Sequence, residues 1–158
     1  MAAYTYSKLQ KEYDNFRDPM VHISVDGESL KDNKYNIAVS NIVVDVTAGF
    51  EASQAVYELY NVYDYEKGSF EYNNLKKYIL LGSTVIIHAG YNYQLREIFR
   101  GVVVRTEFAI EEDIPAHVIV TAMDVKGVMM ANHYHKQFSA KSYSLAVKEI
   151  FDQAAYSA

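Results

Sequence analysis

The chain contains no cysteine and no tryptophan, and only two prolines and seven glycines in 158 residues. Without thiols there is no disulfide, no Cys-ligated zinc site and no thiol nucleophile. Positive charge is also scarce, with 15 Lys+Arg against 20 Asp+Glu for a net charge of −5. A general nucleic-acid binder draws much of its affinity from Lys and Arg at phosphates, so that class is disfavoured. Long apolar runs are missing as well. The longest candidate, Tyr78-Ile79-Leu80-Leu81, stops at Gly82, whereas a bilayer-spanning helix needs about 20 predominantly apolar residues. Met1 to Phe16 carries Lys8, Lys11, Glu12 and Asp14 and lacks the apolar core of a signal peptide. These absences lead us to expect a soluble protein made in the cytoplasm, with no membrane insertion.

What is present is a half-hydrophobic chain with 22% charged residues, 15 Tyr and 7 Phe. That composition and length fit one folded domain rather than a disordered chain. Tyr6, Leu9, Tyr13 and Phe16 recur at helical spacing and predict a short N-terminal helix ended by Pro19. A strand at Val21–Val25 runs into a hairpin turn at Asp26-Gly27. From Tyr35 to Thr47 the apolar phase switches from odd (Ile37, Val39) to even (Ile42, Val44, Val46). A period-two pattern survives such a slip only if one extra residue is accommodated, which predicts a β-bulge at Ser40-Asn41.

Ser53–Tyr63 fits either period, and its Tyr and Val content favours a strand. Asp64–Lys77 is polar and turn-like, with Phe70 and Tyr72 alternating as in a short strand. Strands follow at Thr84–Ala89, Ile98–Ile110 and Ala116–Met123. In the second of these, Val102, Val104, Thr106, Phe108 and Ile110 are expected on one face, opposite Arg105 and Glu107. Asp124-Val125-Lys126-Gly127 reads as a capped turn, because an Asp side chain accepts from amides two or three residues on. Ser142–Ala155 reads as an amphipathic helix with Tyr143, Val147, Ile150, Phe151 and Ala154 on its apolar face. The expected class is mainly β (α+β), an antiparallel barrel or sandwich with a helix at each end.

Chemistry-bearing patterns are sparse. No glycine loop cradles phosphate and no GxSxG elbow presents a serine. His133 and His135 flank Tyr134 and could form half of a zinc or nickel site, but a third ligand is not arranged nearby. His22, His88 and His117 are expected to be structural. Glu111-Glu112-Asp113 lacks the alternating oxygen ligands and glycine of an EF-hand and reads as a solvated turn. Glu51, Glu58, Glu66 and Glu71 are the carboxylates from which a glycosidase pair would have to be drawn, and sequence does not set their separation. No catalytic residue, metal ligand or cofactor is therefore assigned, and the chain is expected not to be an enzyme. Tyr57, Tyr60, Tyr63, Tyr65 and Tyr72 cluster, and Tyr91 and Tyr93 flank a turn. Two readings stand open for them: half-buried strand positions, or a protein–protein interface.

Several anchors recur in a fixed order. They are Val21-His22-Ile23-Ser24-Val25-Asp26-Gly27, Leu81-Gly82, the strand Val85–His88, Gly90-Tyr91, and Ile98-Phe99-Arg100-Gly101-Val102-Val103. Val118 to Asp124, Phe138 and the Ser142–Phe151 helix complete the series. This order resembles the baseplate hub proteins of contractile phage tails and related injection systems, the late control protein D family. It is also similar to the hub portion of the type VI secretion spike.

The resemblance implies a tail-tube-like β domain over residues 1–135, with a connecting segment and helix over 136–158, shorter than the family's usual length. It implies a structural role by assembly, joining tail tube to spike. Partners would be a homo-oligomer (a trimer at full length), the tube protein, the spike and other baseplate proteins. The setting would be a virion tail or injection particle. A tail tube protein and a carbohydrate-binding β module are the alternatives. The family-motif positions are structural. Gly82 and Gly90 would allow positive φ or tight reversal, Gly101 close packing beside Phe99, and Asp124 a cap at the sheet exit.

Overall fold

The computed structural model describes residues 5–31, 33–131 and 142–151. The chain opens with α1 (Tyr6–Glu12), whose N-cap Thr5 accepts from the Lys8 amide, and a 3₁₀ turn over Asp14–Phe16. Then come β1 (Pro19–Val25), β2 (Glu28–Ser29), β3 (Ala38–Asp45), β4 (Gln54–Tyr60), β5 (Tyr63–Asp64) and β6 (Ser69–Phe70). They are followed by α2 (Tyr72–Ile79), β7 (Thr84–Tyr91), β8 (Gln94–Ala109), β9 (His117–Met123), α3 (Val125–Met130) and α4 (Tyr143–Phe151). The main sheet has the order β2-β1-β7-β8-β9-β4-β3, antiparallel at every junction, and β5–β6 form a small separate hairpin. The expected mainly β, α+β class with peripheral helices is what the chain adopts.

Alternation puts Ile23, Val25, Tyr57, Leu59, Val85, Ile87, Phe99, Val103, Val118 and Val120 on the inner face, all buried. Leu75, Tyr78 and Ile79 of α2 join that core, at the i, i+3, i+4 spacing that makes one helical face. This helix corrects the expected polar turn over Asp64–Lys77. Its exposed side is rich in Asn and Lys, which masks the three apolar residues.

The bulge foreseen at Ser40-Asn41 is present: pairing with β4 shifts between Ser40 and Val43, with Asn41 at φ +49°. A second shift in β8, between Val103 and Arg105, corrects the face expected there. Val103 and Thr106 point inward, opposite Ala122 and Val120, while Val104 is extruded and Val102 sits with the outer set. The N-terminal helix closes one end by aromatic contacts, Phe16 to Tyr91 at 5.4 Å and Tyr13 to Tyr91 at 6.3 Å. Arg96 adds bonds to Glu12 and Tyr13, each at 2.8 Å.

The sheet rolls up but does not close. β1 and β3 are not hydrogen-bonded to each other, yet side chains from both line one groove of about 360 Å³: Val21 and Ile23 on one wall, Ala38, Val39 and Ile42 on the other, and Leu30, Lys31 and Ile37 at its end. The sheet is therefore open, with its two margins facing each other.

Candidate binding surfaces

The five family-motif positions have clear structural work. Gly82 has φ +86°, and its amide donates to the Val103 carbonyl at 2.8 Å. A Cβ on Gly90 would lie 2.0 Å from the Gln94 carbonyl oxygen, and one on Gly101 would lie 2.2 Å from that of Met123 and 2.8 Å from Phe99 Cζ. Phe99 and Gly101 thus interlock as expected. Asp124 caps α3, its carboxylate accepting from the amides of Lys126 and Gly127. None of these residues lines the depressions between β1 and β3, around the β5–β6 hairpin or at the Ile110–Ala116 loop.

The ionisable residues disperse. Glu51 lies in the bend before β4, Glu58 in β4, Glu66 in the β5–β6 turn and Glu71 at the start of α2. One oxygen of Glu58 accepts from both Tyr60 Oη and Asn41 Nδ2 at 2.6 Å. That hydrogen bond, chiefly, raises the Tyr60 phenol above its ordinary value. His117 is buried, stacked on Tyr60 with ring centroids 5.1 Å apart and its Nδ1 bonded to the Pro115 carbonyl. His22 and His88 oppose each other across β1 and β7 with centroids 6.3 Å apart, and His22 Nε2 bonds Ser29 Oγ at 2.9 Å. No three potential metal ligands converge among the described residues. His133, His135, Phe138 and the expected boundary at 135/136 lie outside those residues.

Two surfaces remain that chain chemistry could use. One is the groove between β1 and β3, whose described lining is apolar except for Lys31. The other is a shallow depression of about 610 Å³ between the β5 hairpin and the loop from Ile110 to Ala116. There Tyr65 is 70% exposed. Its ring lies edge-on to Tyr63 at 5.0 Å, and its hydroxyl accepts from the Ala116 amide at 3.1 Å. Tyr63 continues the contact to Phe70, which in turn meets the exposed Phe108. Glu111, Glu112 and Asp113 form the opposite rim, all exposed.

The tyrosines divide by burial. Tyr57 and Tyr78 are core, whereas Tyr65, Tyr72 and Tyr93 are surface. Sequence alone could not show the β1–β3 groove, because its walls are brought together only by the roll of the sheet. The single local signal was the bulge, which bends β3.

The family model that matches is described as the Alg8 N-terminal domain, and it spans residues 17–158. This corrects the assignment drawn from the ordered anchors. The match is to that family and not to a baseplate hub family, so the late control protein D identity, the tube-to-spike role and the virion-tail localisation are withdrawn. The anchors mark positions that a rolled sheet requires, and such positions carry a fold more directly than a role. No curated protein matches the chain.

Proposed function

The chain belongs to the Alg8 N-terminal domain family, and on that premise we propose that it is a non-catalytic binding domain that docks on a protein partner through the open margin of its sheet. The observation that carries this is the β1–β3 groove, an apolar surface lying between two sheet edges. Unpaired strand edges are templates for another chain, and folds normally blunt them with charge, proline or a covering element. Among the described residues, β3 has its bulge and Asp45 in that role.

The test places a photo-crosslinking side chain at Val21, which lines the groove and is partly exposed, with Glu66 as the remote control, in the cells that make the protein. A protein adduct of discrete mass at position 21 and none at 66 is expected. Absence of any adduct at 21 would retire the reading.

A second reading rests on the Tyr63–Tyr65 depression. An exposed tyrosine face suits the C–H face of a sugar, and carboxylates on the facing rim suit its hydroxyl donors. Tyrosine fluorescence titrated with a panel of oligosaccharides tests it. Saturable quenching that Tyr65→Ala removes supports it, and a flat response retires it.

A further inference from the structure

We propose that the groove between β1 and β3 takes one extended segment of a protein partner as an added strand, with apolar side chains at alternate positions and an acidic residue at the end that meets Lys31. This rests on the docking reading above and specifies the shape and charge of what docks.

The backbone supplies the first argument. In an antiparallel pair, residues alternate between bonding one neighbour and facing the other. The Asp124 amide donates to the Ser53 carbonyl, which assigns Ala55, Tyr57 and Leu59 to β9 and leaves Gln54, Val56, Glu58 and Tyr60 to bond β3. Their partners are Asp45, Val43, Ser40 and Ala38. Val39 and Val44 therefore aim their N–H and C=O groups away from β4, out of the sheet.

The same argument holds on the other wall. Asp26 donates to Thr84, so Ser24, His22 and Met20 bond β7 and Ile23 and Val21 face outward. The Ile23 carbonyl is satisfied, accepting from the Leu30 amide at 2.9 Å. Ile37, two residues before Val39, is satisfied by Asn33 on both its N–H and its carbonyl. Beyond those points Val21, Val39 and Val44 take no such bond from the described residues. One wall thus presents the outward peptide group of Val21 and the other those of Val39 and Val44, past the satisfied groups at Ile23 and Ile37.

Side chains supply the second argument. The lining is Val21, Ile23, Leu30, Ile37, Val39 and Ile42, which accept one face of an extended peptide. Lys31 is the one charged residue among the described residues lining it, so it selects for an acidic group at that end. The six longer strands alternate in direction around the roll, which makes β1 and β3 antiparallel to each other. An inserted strand then runs parallel to one wall and antiparallel to the other.

The experiment uses the full ¹⁵N-labelled chain and a synthetic ten-residue peptide of alternating Val and Thr with one terminal Glu. We expect saturable amide shifts at Val21, Val39 and Val44, and intermolecular contacts to the peptide backbone. Val39→Pro removes an outward N–H without breaking a β3–β4 bond, and an edge strand tolerates it. It should weaken binding at least tenfold with the far-UV spectrum unchanged. Should that variant unfold, Lys31→Glu serves instead, weakening the Glu peptide and favouring one with Lys in its place.

Shifts confined to the Tyr63–Tyr65 depression, no shifts at millimolar peptide, or affinities indifferent to both substitutions would each overturn the proposal. A crosslink at position 21 with no response to the peptide in the groove sinks this inference alone. Loss of that crosslink sinks the docking reading itself.

Discussion

Two buried residues show how single side chains set limits here. Gly101 sits where β7, β8 and the end of β9 converge, and a methyl group there would meet the Met123 carbonyl oxygen at 2.2 Å. Backbone in a central strand yields little, so Gly101→Ala should destabilise the fold by about 2–3 kcal/mol. A lowered urea midpoint with unchanged m-value would show it. Tyr57 is the opposite case: fully buried, its hydroxyl has no hydrogen-bond partner among the described residues. Tyr57→Phe removes an unsatisfied polar group and should be neutral or stabilising by about 1 kcal/mol. Burial also pushes the Tyr57 phenol up from its ordinary value of 10.0. The folded chain keeps this proton where the unfolded chain releases it. The Tyr57 contribution is therefore unchanged below pH 10, and stability falls as pH rises above it. Unfolding free energies on either side of that pH should fall less steeply for Tyr57→Phe than for the native chain.

At the scale of elements, the bulge in β3 is the clearest link between pattern and shape. Asn41 takes φ +49° there, and its amide reaches Glu58. A β-branched side chain resists that conformation, so Asn41→Val should lower stability by about 1–3 kcal/mol. Asn41→Gly should be milder, losing mainly the bond to Glu58, and thermal unfolding of the pair separates backbone from side-chain effects. The odd-to-even switch of Ile37, Val39, Ile42 and Val44 was legible because each residue is apolar. The equivalent slip in β8 was not, because Val102, Val103 and Val104 are all valine and any phase fits them. Helix α2 was hidden differently. Its buried face, Leu75, Tyr78 and Ile79, straddles the border between a polar stretch and an apolar run, so neither half showed the period alone. The Asp124 cap was readable because its hydrogen bonds span only two and three residues. The candidate surfaces depend on contacts across the whole fold, and no local window contains them.

For the molecule as a whole, the arrangement of strands predicts where it opens. β7, β8, β9 and β4 are each flanked by strands on both sides, whereas β3 and most of β1 have one paired side. Local opening free energies rise with buried contacts and shared backbone bonds. Amide exchange should therefore be slowest at Tyr57, Val103, Val118 and Val120, which are buried in the interior strands. The amides of Val21, Val39 and Val44 should exchange fast in the free domain, being aimed out of the sheet. A partner strand in the groove would slow those three together while leaving the interior amides near their already low rates. Exchange followed by mass spectrometry or NMR, with and without the Val/Thr peptide, distinguishes this from a general tightening of the fold. Uniform slowing across β7, β8 and β9 would mean that the ligand stabilises the domain globally. Selective slowing at the two margins would mean that it completes the roll of the sheet.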